Sequence, residues 1–442
     1  MSYGTILGHT TGMSFTQFGQ TIGLSPALLR AATELGWTIP TPVQVQAMPA
    51  ILRGADVQAQ AQTGSGKTGA FALPLLQALQ GQAPNAPRRV RALVLVPTRE
   101  LAAQVGEVLR SLAQHLPAPL KVAVVFGGVS INPHMMGLRG GADVVVATPG
   151  RLLDLVNHNA LKLGAVNTLV LDEADRLLDL GFADELAAVL ALLPAQRQNL
   201  LFSATFDAAV QKLADGLLRE PVQIAVESTP ELDPIILQRA IAVDTSKRTQ
   251  LLRHLFKTEG WSRVLVFVAT KYAAEIVSEK LYKAGIFATP FHGELSQGAR
   301  TQVIEEFKAE RWEVVVTTDL ASRGIDIAQL PVVVNYDLPR SATDYVHRIG
   351  RTGRAGQSGL AISFVTADAE AHFQLIEKRQ NLSLPREQVA GFEPTEVATP
   401  VATAPGALGG SGAAGNGGIK GKRPSKKDKL RAAGKLPMPS GI

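Results

Sequence analysis

Short runs of Val, Leu and Ala recur along the chain at 92–97, 121–126, 143–148, 168–172 and 199–203, each stopped by a turn former or a helix-starting residue. Runs this short and this apolar predict strands buried on both faces. Between them, stretches such as Glu100 to Leu116 and Asp184 to Leu193 repeat their apolar positions every three to four residues, which predicts helices with one buried stripe. Alternation of the two kinds predicts an α/β unit whose parallel sheet is covered on both faces. The same grammar restarts after residue 235, with strands expected near 263–268, 287–291, 314–318, 332–336 and 360–365. A chain of 442 residues has room for two such units and a tail.

The break between the units falls at Glu227 to Pro234, where two prolines and acidic residues interrupt the periodicity. This gives a first domain at 1–226, a hinge at 227–235 and a second domain at 236–385. From 392 to 442 the chain is rich in Pro, Ala and Gly and then in Lys, with too few large apolar residues for a core, and a disordered tail is expected there.

Composition narrows the chemistry. Hydrophobic residues make up 46% and charged residues 19%, as in a globular protein. With no cysteine, disulfides, thiolate metal sites and cysteine nucleophiles are excluded, and a reducing cytoplasm suits the chain. No apolar stretch approaches membrane-spanning length, and the first 29 residues lack the Lys or Arg of a secretory leader, so neither membrane insertion nor export by that route is expected. The net charge is +6, but residues 393–442 hold eight Lys/Arg against three acidic residues, leaving the rest nearly neutral. A basic tail on a neutral body points to a polyanionic partner.

Ala61-Gln62-Thr63-Gly64-Ser65-Gly66-Lys67-Thr68 follows a strand-like run from Asp56 and opens a helix-forming stretch. Strand, glycine-rich loop and helix in this order form a phosphate-binding loop. Backbone amides converge on phosphate, Lys67 reaches the terminal phosphates and the Thr68 hydroxyl meets Mg²⁺. A carboxylate is then needed for the metal and another for water. Asp172 and Glu173 stand at the end of the apolar run Leu169-Val170-Leu171 and can supply both.

The literal Asp-Glu-Ala-Asp at 172–175 belongs to a longer series: Pro97-Thr98-Arg99-Glu100-Leu101-Ala102, Gly127-Gly128, Thr148-Pro149-Gly150-Arg151, Ser203-Ala204-Thr205, Thr318-Asp319 through Arg323-Gly324-Ile325-Asp326, and His347-Arg348-Ile349-Gly350-Arg351-Thr352-Gly353-Arg354. In this order the chain resembles the DEAD-box RNA helicases over roughly residues 15 to 370, and its compact core with a basic extension resembles their RhlE-like branch.

That resemblance implies two RecA-like parallel-sheet domains in tandem and an RNA-dependent ATPase using ATP and Mg²⁺. It assigns adenine reading to 18–44 through Gln44, with Phe18 as the stacking aromatic and Phe15 as its competitor. Arg351 and Arg354 resemble arginine fingers, while Gly324 and Asp326 resemble the ribose pocket. Asp175, Ser203, Thr205 and His347 resemble the polar bridge between the sheets. Arg99, Gly128, Thr148 and Arg151, with Gln297, Arg300 and Thr318, match positions that hold RNA through phosphate and 2′-OH without reading bases. The implied activity is local unwinding of short RNA duplexes or remodelling of RNA–protein complexes by a monomer. The alternative is an ATP-dependent RNA clamp with little unwinding. Ribosome assembly and RNA decay are roles the family permits.

Overall fold

The computed structural model describes residues 13–62, 64–80, 88–226, 236–322, 330–353 and 358–396. The hinge at 227–235 and the tail beyond 396 lie outside them. The first sheet contains β1 (Val57–Gln60), β2 (Ala92–Leu95), β3 (Val122–Val125), β4 (Val144–Ala147), β5 (Thr168–Leu171), β6 (Gln198–Ser203) and β7 (Val222–Ala225), in the order β3-β4-β2-β5-β6-β1-β7. The second contains β8 (Ile236–Ala242), β9 (Val264–Phe267), β10 (Ala288–Phe291), β11 (Val314–Thr317), β12 (Val332–Asn335), β13 (Gly359–Val365) and β14 (Arg386–Glu387), in the order β10-β11-β9-β12-β13-β8-β14. Each strand of the second order is the first-sheet strand shifted by seven, so one topology is used twice. Every neighbouring pair in both sheets is parallel. The two domains are RecA-like.

Strand alternation decides the two cores of the first domain. Val94, Val146, Val170 and Phe202 face one core with helices Pro42–Leu52, Lys67–Gln80 and Arg99–Ala113. Their chain neighbours Leu93, Leu95, Val145, Leu169, Leu171 and Leu201 face the other, with helices Pro149–Asn157, Ala183–Ala191 and Ala208–Leu217. Arg99–Ala113 illustrates the local code. Thr98 caps it by accepting from Leu101 N at 3.2 Å, and Leu101, Val105, Leu109 and Leu112 make its buried stripe.

Strands β7, β8 and β14, which no apolar run predicts, lie toward one edge of each sheet; β7 and β8 mix polar with apolar residues, and β14 is Arg386-Glu387 alone. Half-exposed strands lack the continuous apolar run that marks the central ones. The chain beyond β14 also packs on the second sheet. Asp244, 2% exposed, accepts from Thr395 N at 2.7 Å, Thr395 Oγ1 at 2.8 Å and Glu396 N at 2.9 Å. The Glu396 N–H foremost, with Thr395 and Lys247, holds the Asp244 carboxyl well below the usual carboxylate range. Phe392 packs on His254, ring centroids 5.3 Å apart, so this segment is folded through Glu396. Among the described residues no helix is long and apolar enough to cross a membrane.

Replacing Asp244 with Ala should release residues 388–396 while leaving the sheets intact. Limited proteolysis and amide exchange should show faster cleavage and exchange in that segment alone, and unchanged rates there would discount the clamp.

Candidate nucleotide and nucleic-acid site

In a parallel sheet, ligands gather where the strands end at their carboxyl termini. The strand order divides that edge of the first domain. β5, β6 and β1 are neighbours, and they lead into Asp172, Ser203 and the phosphate loop at Ala61. β3, β4 and β2 form the other half and lead into Gly127-Gly128, Thr148 and Arg99. The residues expected to meet nucleotide and those expected to meet nucleic acid therefore occupy adjoining halves of one sheet edge.

The phosphate loop leaves β1 with Ala61 N bonded to Ser203 O at 3.0 Å, and Lys67 is buried with its Nζ donating to Ala61 O at 2.9 Å. Gly66 has φ of +91°. A Cβ there would lie 2.7 Å from Thr41 Oγ1 and 2.8 Å from Gln44 Nε2, so glycine is required by both conformation and space. Gln44 accepts from Thr41 N at 2.9 Å and donates to Gly66 O at 3.1 Å, which joins the adenine-reading segment to the loop. Thr41 Oγ1 is buried and makes no hydrogen bond among the described residues. Gln62, Gly64, Ser65 and Thr68 complete the loop, while Thr63 lies outside the described residues.

The two aromatic candidates for adenine stacking are elsewhere engaged. Phe18 is 1% and Phe15 2% exposed, and both belong to the hydrophobic core. Phe15 meets Trp37 with centroids 5.8 Å apart and Phe18 edge-on at 6.4 Å. Neither ring offers an open face in this structure. The aromatic beside Gln44 is Trp37: a Cβ at Gly69 would fall 2.7 Å from Gln44 Nε2 and 3.1 Å from the Trp37 ring.

At the end of β5, Glu173 takes a left-handed conformation with φ of +53° and starts the helix Ala174–Asp179. Side chains in that region cost about 1–3 kcal/mol and persist where surroundings fix them. Asp172 is fully buried, and desolvation, partly offset by Lys67 and reinforced by Glu173, pushes its carboxyl up to about 6. A buried carboxylate pushed up in this way, beside a buried lysine and a loop rich in amide donors, fits a phosphate-bound divalent cation. Thr68 and Asp172 are the residues that would hold it.

Asp175, Ser203 and Thr205 form one network. Asp175 N donates to Ser203 Oγ at 3.2 Å, Ser203 Oγ donates to Thr205 O at 2.7 Å, and Thr205 donates to Asp175 Oδ2 from N at 3.2 Å and Oγ1 at 3.1 Å. His347 does not join it directly. It pairs instead with the guanidinium of Arg176, the next residue along, which also bonds Asp344 Oδ1 at 3.1 Å.

On the nucleic-acid half, the Arg99 guanidinium lies against Gly128, where φ is +78° and a Cβ would fall 2.6 Å from Nη1. Thr148 accepts from Gly127 N at 3.3 Å at the head of its helix. Arg151 is 8% exposed and donates to Val129 O at 2.6 Å and Ser130 O at 3.4 Å, and its Nη1 meets His134 Nδ1 at 2.9 Å. It shapes the glycine loop from beneath. Arg300 is 2% exposed and binds Glu100 Oε1 through Nε at 2.8 Å and Nη2 at 2.7 Å, across the two domains. The structure thus places Arg151 and Arg300 as braces of that face rather than as exposed donors on it. Gln297 opens the helix Gln297–Lys308 after β10, partly exposed but with its Oε1 buried and without a hydrogen bond among the described residues, and Thr318, partly exposed, follows β11.

In the second domain Arg348 is buried, binding both Asp319 oxygens at 2.6 and 2.7 Å, Asn335 Oδ1 at 3.1 Å and Asp337 O at 2.6 Å. Arg351 lines a hollow with Arg176, Asp344 and His347. Arg354, Gly324 and Asp326 lie outside the described residues. Glu100, Arg176, Asp319, Asp344 and Arg348 had no role in the sequence reading. One signal was available: Arg300 stands three and seven positions before Val303 and Phe307, and Arg348 three after Tyr345, so each puts charge on an apolar stripe.

Fold and site together define a tandem RecA-like ATPase built to hold nucleic acid beside its nucleotide. The DEAD/DEAH box helicase model matches residues 41–213 and the helicase conserved C-terminal domain model matches 246–356. CshA, a DEAD-box ATP-dependent RNA helicase of Bacillus subtilis, is 38% identical over 83% of this chain and 73% of its own. Human DDX47, a probable ATP-dependent RNA helicase, is 40% identical over 82% and 79%. Yeast Dbp5 bound to RNA and ADP BeF3 aligns with a TM-score of 0.73 at 31% identity, covering 84% of this chain and 95% of that one. The chain belongs to the DEAD-box ATP-dependent RNA helicases. Bacterial and animal members resemble it about equally, so what they establish is the family as a whole.

Burial of Asp172 gives a pH-dependent outcome. An unfolded aspartate titrates near 3.9, so between about pH 4 and 6 the folded form binds more protons and stability falls as pH rises. In nucleotide-free protein, Asp172→Asn should therefore raise the unfolding temperature at pH 8, by up to about 3 kcal/mol of stability, with little gain at pH 4. An equal gain at both pH values would refute the assignment.

Proposed function

We propose that this chain is an RNA-dependent ATPase that closes its two sheets on ATP and RNA, locally strains or separates a short duplex, and reopens after hydrolysis. The observation that carries this reading is the shared edge. One sheet presents both ligand halves, and the second sheet is tied to each half by a charged pair, Arg300 to Glu100 and Arg176 to Asp344. Such pairs favour the closed form, and hydrogen bonds to charged groups contribute about 1.5–3 kcal/mol each. The likeness to Dbp5 supports the same state, because the alignment is better with its RNA-bound form than with a Dbp5 variant bound to Gle1 and IP6, at TM-scores of 0.73 and 0.66.

Lys67 then neutralises terminal phosphate charge, Gln44 selects the base, and Glu173 orients the attacking water. Bound Mg²⁺ would supply further charge neutralisation on the phosphates through Thr68 and Asp172. Closure brings Arg351, with Arg354, toward the developing charge. Arg99, Gly128, Thr148, Gln297 and Thr318 hold the RNA backbone, which gives affinity without choosing a sequence. The reading places the protein in the cytoplasm as a monomer acting on structured RNA.

Strand separation of short RNA and DNA duplexes with ATP tests the reading directly. RNA separation is expected, whereas ATP-dependent RNA retention without separation would favour the clamp. Lys67→Ala should weaken ATP binding, while Glu173→Gln should retain ATP and trap an RNA complex with turnover lost. Equal loss of ATP affinity in both would refute the roles.

The basic tail lacks aromatic neighbours for base stacking and so offers phosphate contacts. Deleting 397–442 should weaken single-stranded RNA binding and flatten log affinity against log salt by about 0.7 per lost contact. Turnover at saturating RNA should stay near that of the full chain. An unchanged slope would exclude RNA contact by the tail.

A further inference from the structure

We infer that Arg176 is a positioning residue that docks the helix Ala342–Ile349 of the second domain and thereby sets where Arg351 meets the nucleotide, an inference that rests on the closure reading above. Arg176 follows the Asp-Glu-Ala-Asp sequence and is 7% exposed. Its backbone is fixed to the nucleotide network, because Arg176 N donates to Asp175 Oδ1 at 3.0 Å and Asp175 Oδ2 accepts from Thr205. Its side chain reaches the other way. Among the described residues its hydrogen-bond acceptors are Asp344 Oδ1, at 3.1 Å from Nη1, and His347 Nδ1, met by Nη2.

Residues 344 and 347 are one helical turn apart and face the same side, so one planar guanidinium engages both. Since Arg176 can only donate, Nδ1 of His347 is the acceptor in this pairing. The docked helix is not a loose element. Arg348 locks it to Asp319 beyond β11 and to Asn335 and Asp337 at the end of β12. Ser341 caps it, donating to Asp344 Oδ2 at 2.9 Å and accepting from Asp344 N at 3.0 Å. A rigid helix held by one fork transmits the position of Asp175 to Arg351, which lines the same hollow as Arg176.

The geometry also separates Arg176 from a residue that merely stabilises its own domain, because its acceptors stand 168 and 171 positions away on the other sheet. Removing the fork should leave each domain folded and impair their closure. Lysine keeps the charge but cannot span both acceptors, so Arg176→Lys should recover only part of the function.

The test uses the full chain and measures ATP turnover against RNA concentration, together with fluorescence energy transfer between probes on the two domains in RNA and a non-hydrolysable ATP analogue. Arg176→Ala and Asp344→Asn should each raise the half-saturating RNA concentration about 10- to 100-fold and lower the closed fraction. ATP affinity without RNA and the melting profile should match the wild type. The double variant should be no worse than the poorer single, since both changes remove one interaction. Wild-type RNA dependence in either single variant, or a double variant whose loss is the product of the two, would overturn the inference. Wild-type protein without RNA-stimulated turnover would overturn the functional reading and this inference with it, whereas stimulated wild type with unaffected variants would overturn this inference alone.

Discussion

A charge taken out of water must be met by an opposite charge, and in this protein two arginines meet theirs on the opposite domain. Arg300 is buried in the second domain, held by His292 O and Ala321 O, with its charge answered by Glu100 of the first. Arg176 reverses the arrangement, leaving the first domain to reach Asp344 and His347 of the second. Each pair contributes a charge-assisted hydrogen bond of about 1.5–3 kcal/mol that exists only while the domains are apposed, since in the separated domains water answers the same charges. Among the described residues, the apposition of the sheets thus includes two charged contacts, one beside each half of the first sheet's edge, and the apolar cores stay within their own domains.

Those points matter because of where they stand on the strand order. Parallel pairing puts all carboxyl ends on one side, and the crossover pattern sorts them into a nucleotide half under β5, β6 and β1 and a nucleic-acid half under β3, β4 and β2. Glu100 follows Arg99 on the second half, and Arg176 follows Asp175 on the first. Each interdomain contact is therefore made by the residue that follows a residue at the strand-end edge. The Asp175, Ser203 and Thr205 network ties β5 and β6 together at their ends within the first half, and parallel pairing of β5 with β2 joins that half to the other.

Two of the arginines that resemble RNA contacts are buried and bonded within the protein in this structure. Arg151 gives its guanidinium to the carbonyls of Val129 and Ser130, and Arg300 gives its own to Glu100. A guanidinium has five donors in a fixed fork, and where carbonyls surround it, it organises loop backbone instead of reaching solvent.

The sequence by itself determined the elements and the chemistry that local pattern encodes. Periods of two and of three to four residues are set by burial within one strand or helix, so the strands at 92–95, 144–147, 168–171, 264–267 and 314–317 fell where the apolar runs predict. The phosphate loop and Asp172-Glu173 were equally legible, because each needs contiguous residues at a strand end. Strands β7 and β14 at the sheet edges, and β8 next to one, were not, since partial exposure erases the apolar run. Nor were the partners of Arg176 and Arg300, which stand 168 and 200 positions away. Which carboxylate a buried arginine meets depends on strand order and on the apposition of two sheets. No local pattern carries that information, so only the tertiary structure decided it.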